Sequence, residues 1–181
     1  VPTGEVGTGQ GFFAFANASV TGVQFENAHR VGANSQFFSP TTLQKHVLWM
    51  NAENAQGEFS QIAVAFTNRS KAGDDATDSD KISGNALSLY ALENGHHYAI
   101  DGLPLLSGIE ERIVPLGVAV STVGTHTLSL HQTENWPAHY RVQLIDEQEG
   151  KAINLLNQST YTFDAQVTGE LHGRFYLRIG S

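Results

Sequence analysis

The sequence has no cysteine. This absence excludes thiol catalysis, a zinc ribbon and any disulfide framework. It leaves secretion open, because a chain of 181 residues can fill one core without covalent staples. Positive charge is also scarce: 10 Lys and Arg stand against 18 Asp and Glu, for a formal net charge of −8. Lys45, Lys71, Lys81 and Lys151 are scattered, so no basic cluster opposes that field. Duplex nucleic acid and anionic membrane surfaces are repelled and are excluded as partners. No apolar run is long enough to span a bilayer, which excludes membrane insertion by a helix. Charged residues make up only 15% of the chain, against about 25% in ordinary soluble proteins. The polar surface must therefore come from Asn, Gln, Ser, Thr and Gly, a composition common in extracellular β domains.

Two-residue alternation of apolar and polar positions recurs along the chain, punctuated by turn residues. It predicts strands over 11–16, 20–25, 43–50, 59–66, 87–92 and 96–100. It predicts further strands over 111–115, 117–121, 124–130, 141–146, 151–154, 159–165 and 173–179. In the 43–50 strand, Leu43, Val47 and Trp49 are expected to share the core face. In the 59–66 strand, Phe59, Ile62, Val64 and Phe66 lie close to one face, with an offset that a bulge would explain. Asn94-Gly95 between two such runs marks a tight hairpin. The one helical candidate, residues 31–38, contains Gly32 and has no capping pattern. Many short strands without alternating helices predict an all-β, antiparallel β-sandwich, jelly-roll or Ig-like, forming a single domain over residues 1–181. The abrupt start at Val1-Pro2 and the strand-like end read as a domain cut from a longer secreted protein, expected to be monomeric.

Two features suggest binding chemistry. The first is the acidic loop with Asp74, Asp75, Asp78 and Asp80, four carboxylates within seven residues. Hard cations such as Ca²⁺ take several oxygen ligands from a flexible loop, although EF-hand spacing is missing. The other reading of the same loop is turn formation, with aspartates accepting hydrogen bonds from their own backbone. The second feature is the aromatic set Trp136, Tyr140, Tyr90 and Tyr98, whose flat rings would suit a sugar-binding surface if exposed. Trp136 sits in the turn-like Glu134-Asn135-Trp136-Pro137. Among the histidines, His96 and His97 are adjacent, so in a strand they point to opposite faces and cannot hold one ion together. Neither HExxH nor GxSxG occurs, and the glycines of residues 4–11 precede an aromatic strand rather than a helix. A non-catalytic role is expected.

An ordered series of short strings resembles a known region. Gly9-Gln10-Gly11-Phe12-Phe13-Ala14-Phe15-Ala16 resembles the "GQGFFVKA" entry to a β-sandwich region near the C-terminus of many large secreted proteins of Bacteroidetes. Arg30-Val31 with Asn34-Ser35-Gln36-Phe37-Phe38 is similar to their "RV…NSQFFR" segment, and Asp75-Ala76-Thr77-Asp78 to "DEATDGFD". Tyr98-Ala99-Ile100-Asp101-Gly102-Leu103-Pro104 is similar to "LAINGLP", Val114-Pro115-Leu116-Gly117-Val118 to "VPLGF", Gly124-Thr125-His126-Thr127-Leu128-Ser129-Leu130 to "AGTYTLSL", and Arg174-Phe175-Tyr176-Leu177 to "RFTLHF". The acidic loop departs from the pattern, because Asp78-Ser79-Asp80 lacks the usual Gly-Phe. The resemblance implies a multidomain parent exported by the type IX system to the cell surface, with a sorting domain after this region. Three roles follow as expectations: binding of polysaccharide or another surface glycan, display as a stalk or docking domain before the sorting signal, or adhesion stabilised by Ca²⁺.

Overall fold

The computed structural model describes residues 24–30, 32, 43–107 and 110–180. The chain divides into two compact units, Val1–Thr42 and Leu43–Ser181. Among the described residues of the first, a 3₁₀ turn spans Asn27–His29, where the backbone N–H of Glu26 donates to His29 Nδ1 at 3.1 Å. The strand expected over 11–16, residues 20–23 of the strand expected over 20–25, and all but Gly32 of the helix expected over 31–38 lie outside the described residues; Gln24 and Phe25 are not in a strand.

The second unit is all-β. Its strands are β1 (Lys45–Asn54), β2 (Phe59–Thr67), β3 (Ser79–Asp80), β4 (Leu87–Glu93), β5 (His96–Pro104) and β6 (Glu111–Val120). They continue with β7 (Gly124–Glu134), β8 (Arg141–Asp146), β9 (Lys151–Asn154), β10 (Thr160–Ala165) and β11 (Gly169–Gly180). Hydrogen bonds join them into one sheet ordered β10-β7-β1-β2-β5-β4-β6-β11-β8-β9, with β3 paired to β5. All ladders are antiparallel except β2 with β5, which run parallel from Ala63↔Ile100 to Thr67↔Pro104. Strands β9 and β10 stand at opposite ends of this order, yet only residues 155–159 separate them in the chain. The two ends must therefore approach each other, and the sheet is nearly closed into a barrel. Among the described residues no helix is long and apolar enough to cross a membrane.

The alternation of the sequence builds a core from one face of this curled sheet. Leu48, Val64, Leu89, Leu116, Leu144 and Leu177 are each fully buried and come from six different strands. The hairpin forms where Asn94-Gly95 predicts it, with φ of 50° and 84° at the two turn residues, the pair of positive values a type I′ turn requires. Strand β6 fuses two runs that the sequence separates at Leu116. At Pro115 it is paired with β11, while the β4 ladder stops one residue short, at Ala91↔Leu116. A strand with one neighbour at that point tolerates a residue that lacks an N–H.

Two core faces differ from expectation. In β1 the buried alternation is Leu48, Met50 and Ala52, joined by Val47, while Leu43 is exposed and Trp49 is half-buried. A register shift against β7 between Trp49 and Met50 accompanies this change of face. A one-residue slip reverses every side chain of a strand, so the outcome depends on which partner it meets. In β2 the β1 register runs without a bulge, and the first core position is Ser60 rather than the exposed Phe59. The Ser60 hydroxyl is a buried acceptor, taking the Leu89 backbone N–H at 2.9 Å and Lys81 Nζ at 2.8 Å. A polar group thereby satisfies two donors where an apolar residue would satisfy none.

Candidate functional site

The acidic loop is a strap laid against β5. Asp75 accepts the backbone N–H of Lys71 and of Thr77, each at 2.6 Å, and also the Thr77 hydroxyl. Burial acts to raise the Asp75 carboxyl, but these donors outweigh it and hold the group below its ordinary range. Asp78 accepts the Asp75 N–H and, across to β5, the Gly102 N–H, both at 2.7 Å. Thr77 rests against Gly102 where any β-carbon would overlap it, so the docking requires glycine there. Past the loop, the Lys81 backbone N–H donates to His97 O at 2.8 Å, and its ammonium reaches Ser60 and Gln61 O. Burial lowers the Lys81 pKa below its usual value.

These bonds favour the turn-forming reading of the loop over a Ca²⁺ site. Asp74, Asp75, Asp78 and Asp80 are not gathered on one centre. Among the described residues, the three-residue group of His, Asp or Glu whose ligand atoms converge is a different one, His97 with Glu170 and His172. Asp74 and Asp80 are exposed, and Asp80 pairs with Tyr98 in the short β3 ladder. Leaving a buried N–H such as that of Gly102 without its acceptor costs about 1–3 kcal/mol. Asp78→Ala should therefore lower stability by about that amount and sensitise residues 71–81 to proteolysis. The loss should be the same in chelator and in millimolar calcium; a deficit seen only with calcium present would assign the loop to the metal instead.

Three of the four aromatic candidates are buried and Trp136 is half-buried, which corrects the expectation of a shared sugar-facing surface. Tyr90 and Tyr98 are 2% exposed and Tyr140 is 6% exposed, so none presents a free ring face. Tyr98 has its hydroxyl pushed up to about 12, by burial first and then by the charges of Asp74 and Asp78. Tyr140 donates to Leu106 O at 3.2 Å and meets Trp136 edge-on at 6.1 Å. Trp136 is half-buried, packs against the core beside Phe66, and has a buried indole N–H with no acceptor among the described residues. Tyr98 and Trp136 spend their apolar area on the core, whereas Tyr90 is covered by histidine rings on the opposite face.

On the face of β4 opposite the core lies a ring cluster. Tyr90 stacks on His97 of β5, with ring centroids 4.0 Å apart and planes 10° from parallel. Its hydroxyl lies 2.7 Å from Nε2 of His172 on β11. Tyr90 spans the intervening β6 to reach it. Directly opposite Tyr90 on β6 is Gly117, and a β-carbon at that position would overlap the Tyr90 ring. Glu170, two residues before His172 on β11, places a carboxylate oxygen 3.7 Å from the same Nε2. The Tyr90 hydroxyl is pushed up to about 12 by burial and then by the Glu170 charge, so it stays protonated at neutral pH.

A second polar centre lies where the sheet closes. Asp146 at the end of β8 is wholly buried, and Arg174 of β11 meets it through Nε at 3.1 Å and Nη2 at 2.9 Å. Tyr161 of β10 donates to Asp146 Oδ2 at 2.8 Å, and Arg174 Nη1 donates to Asp164 O at 3.3 Å. Arg174 also lies over Phe163 and Phe175, at 4.9 and 4.8 Å from the ring centroids. Burial tends to raise the Asp146 carboxyl, but Arg174, Tyr161 and the Glu149 backbone together hold it below its ordinary range. Beside this seam opens a groove of about 340 Å³ with Gln148, Thr162, Asp164 and Gln166 among its lining.

The sequence reading missed both of these centres. His97 and His172 are far apart in the chain, and only the β5-β4-β6-β11 adjacency brings them together. The single local signal was the spacing of Glu170 and His172, two residues apart on one strand and so on one face. A family model described as a domain of unknown function (DUF8693) matches residues 1–179. No curated protein and no solved structure matches the chain.

Proposed function

The chain belongs to the DUF8693 family, a domain of unknown function, and we propose that it is a non-catalytic, extracellular display domain, a rigid stalk or docking module of a longer surface protein. The observation that carries this reading is the covering of the aromatic residues: Tyr90, Tyr98 and Tyr140 are buried and Trp136 packs on the core. The aspartates of the loop support it as well, because Asp75 and Asp78 serve backbone donors and clamp the strap to β5. In this reading the curled sheet works as a flattened β-sandwich of the jelly-roll or Ig-like kind, with side chains from facing strands filling one core. The resemblance to the C-terminal region of type IX-exported Bacteroidetes proteins supports placement before a sorting signal at the cell surface.

Glycan binding is the competing role, and affinity electrophoresis separates the two. The isolated chain should migrate unchanged through gels containing glucan, xylan, mannan or alginate. Retardation by any of them would overturn the display reading and direct attention to the polar groove around Gln148 and Gln166. In a longer parent, replacing this segment by a flexible linker of similar reach should reduce the amount of folded passenger at the cell surface. Undiminished display would also overturn the reading.

A further inference from the structure

We propose that His97, Glu170 and His172 form a binding site for a single divalent transition-metal ion of the zinc, nickel or copper class. The site is independent of the acidic loop and of the display reading. One ligand atom from each residue lies within 4.8 Å of the other two. The His97 and His172 rings are 5.6 Å apart and nearly perpendicular, at 83°. Two imidazoles and one carboxylate are a donor set matched to borderline-soft ions, whereas Ca²⁺ and Mg²⁺ favour all-oxygen shells.

The ligand spacing is looser than a bound ion requires. An ion held at about 2.0–2.2 Å from each donor draws the ligand atoms to within about 3.5 Å of one another. The 3.7 Å between Glu170 Oε2 and His172 Nε2 already approaches that. The remaining closure falls on side chains free to turn, since Glu170 and His172 are exposed and His97 is half-exposed.

The buried side of the site is preorganised. Tyr90 stacks beneath His97 and sets that ring before any ion arrives, while its hydroxyl lies on His172 Nε2, the nitrogen facing Glu170, and yields that position to a bound ion. Both contacts keep the rings near the site and limit the freedom that an ion must remove on binding. They depend on Gly117, which leaves the path from β4 to β11 clear for the Tyr90 ring. The outward side is open to solvent, so an ion bound by three protein ligands would keep at least one exchangeable position. That places the site among surface sites able to bind or cross-link through an added donor, rather than among closed structural ones.

The test is titration of the full, tag-free, chelator-treated chain with Zn²⁺, followed by calorimetry and by the histidine ring resonances. One ion per chain is expected, with the His97 and His172 resonances shifting first and those of the exposed His131 and His139 unmoved. His97→Ala and His172→Ala should each weaken binding at least about tenfold, while His131→Ala should leave it unchanged. Equal shifts at all exposed histidines in the wild-type chain would overturn the site, whether or not the variants fold. So would a His97→Ala/His172→Ala double variant that binds Zn²⁺ as tightly as the parent.

Discussion

Arg174→Ala should be the most damaging single substitution in the β unit, costing about 3–5 kcal/mol. It leaves the carboxylate of Asp146 fully buried with no cation beside it. For a domain of this size each kcal/mol moves the melting temperature by roughly 2–4 °C, so a fall of about 10 °C is expected. Arg174 also bonds Asp164 O on β10 and covers Phe163 and Phe175, so the same change loosens the seam where the sheet ends meet. The pH dependence has a definite sign. Asp146 has its folded pKa below its unfolded value of 3.8. The stability it contributes is present above pH 3.8 and is lost as pH falls through the folded value. The deficit of Arg174→Ala should therefore be largest near neutrality and shrink in acid. Asp146→Asn combined with Arg174→Met should recover part of the loss, since the amide still offers an acceptor to the backbone N–H groups of Gln148 and Glu149. Denaturant melts of the three proteins at pH 7 and pH 3 check this; a pH-independent deficit for Arg174→Ala would show that lost packing, not the stranded charge, sets the cost.

Asp101→Asn should stabilise the protein above pH 7. Asp101 is buried on β5, and burial first, then the charges of Glu93 and Asp78, push its carboxyl from 3.8 up to about 7, with Arg112 opposing. The neutral form is therefore the one the fold accommodates. Its contribution is fully present below pH 3.8 and is lost progressively as pH rises to about 7. A shift of that size corresponds to as much as about 4 kcal/mol between the two ends of the window. The wild-type chain should lose stability across this interval, and Asp101→Asn should lack that component. Melting curves of the two proteins should nearly coincide at pH 4 and separate at pH 8, with the variant the more stable. Parallel curves at all pH values would mean that Asp101 ionises freely in the folded state. The interval lies above the one governed by Asp146, so the two effects are separable in a single pH series.

The strands of the β unit were legible because their signal is local. Alternation with flanking turn residues placed β8 and β9 to the residue, and Asn94-Gly95 specified its own turn through the two positive φ values it tolerates. The turn-forming role of the loop aspartates was one of two readings available from composition, and the hydrogen bonds of Asp75 and Asp78 favour it. The core faces of β1 and β2 were read less well. An apolar residue on both sides of a position, as at Val47-Leu48-Trp49-Met50, fits two registers equally, and only the partner strands choose between them. The burial of Tyr90, Tyr98 and Tyr140 was illegible for a related reason: an aromatic ring suits a buried face and a binding face alike.

By itself the sequence determined that this protein is β-structured, acidic, free of disulfides and without a basic surface, since each of these depends on composition or on neighbours along the chain. Tertiary structure decided the parallel β2–β5 pairing, the near-closure sealed by Asp146 and Arg174, and the meeting of His97, Glu170 and His172 around Tyr90. All three join residues distant in the chain. Their juxtaposition is set by the order in which strands bury their apolar faces, an order that local alternation does not encode.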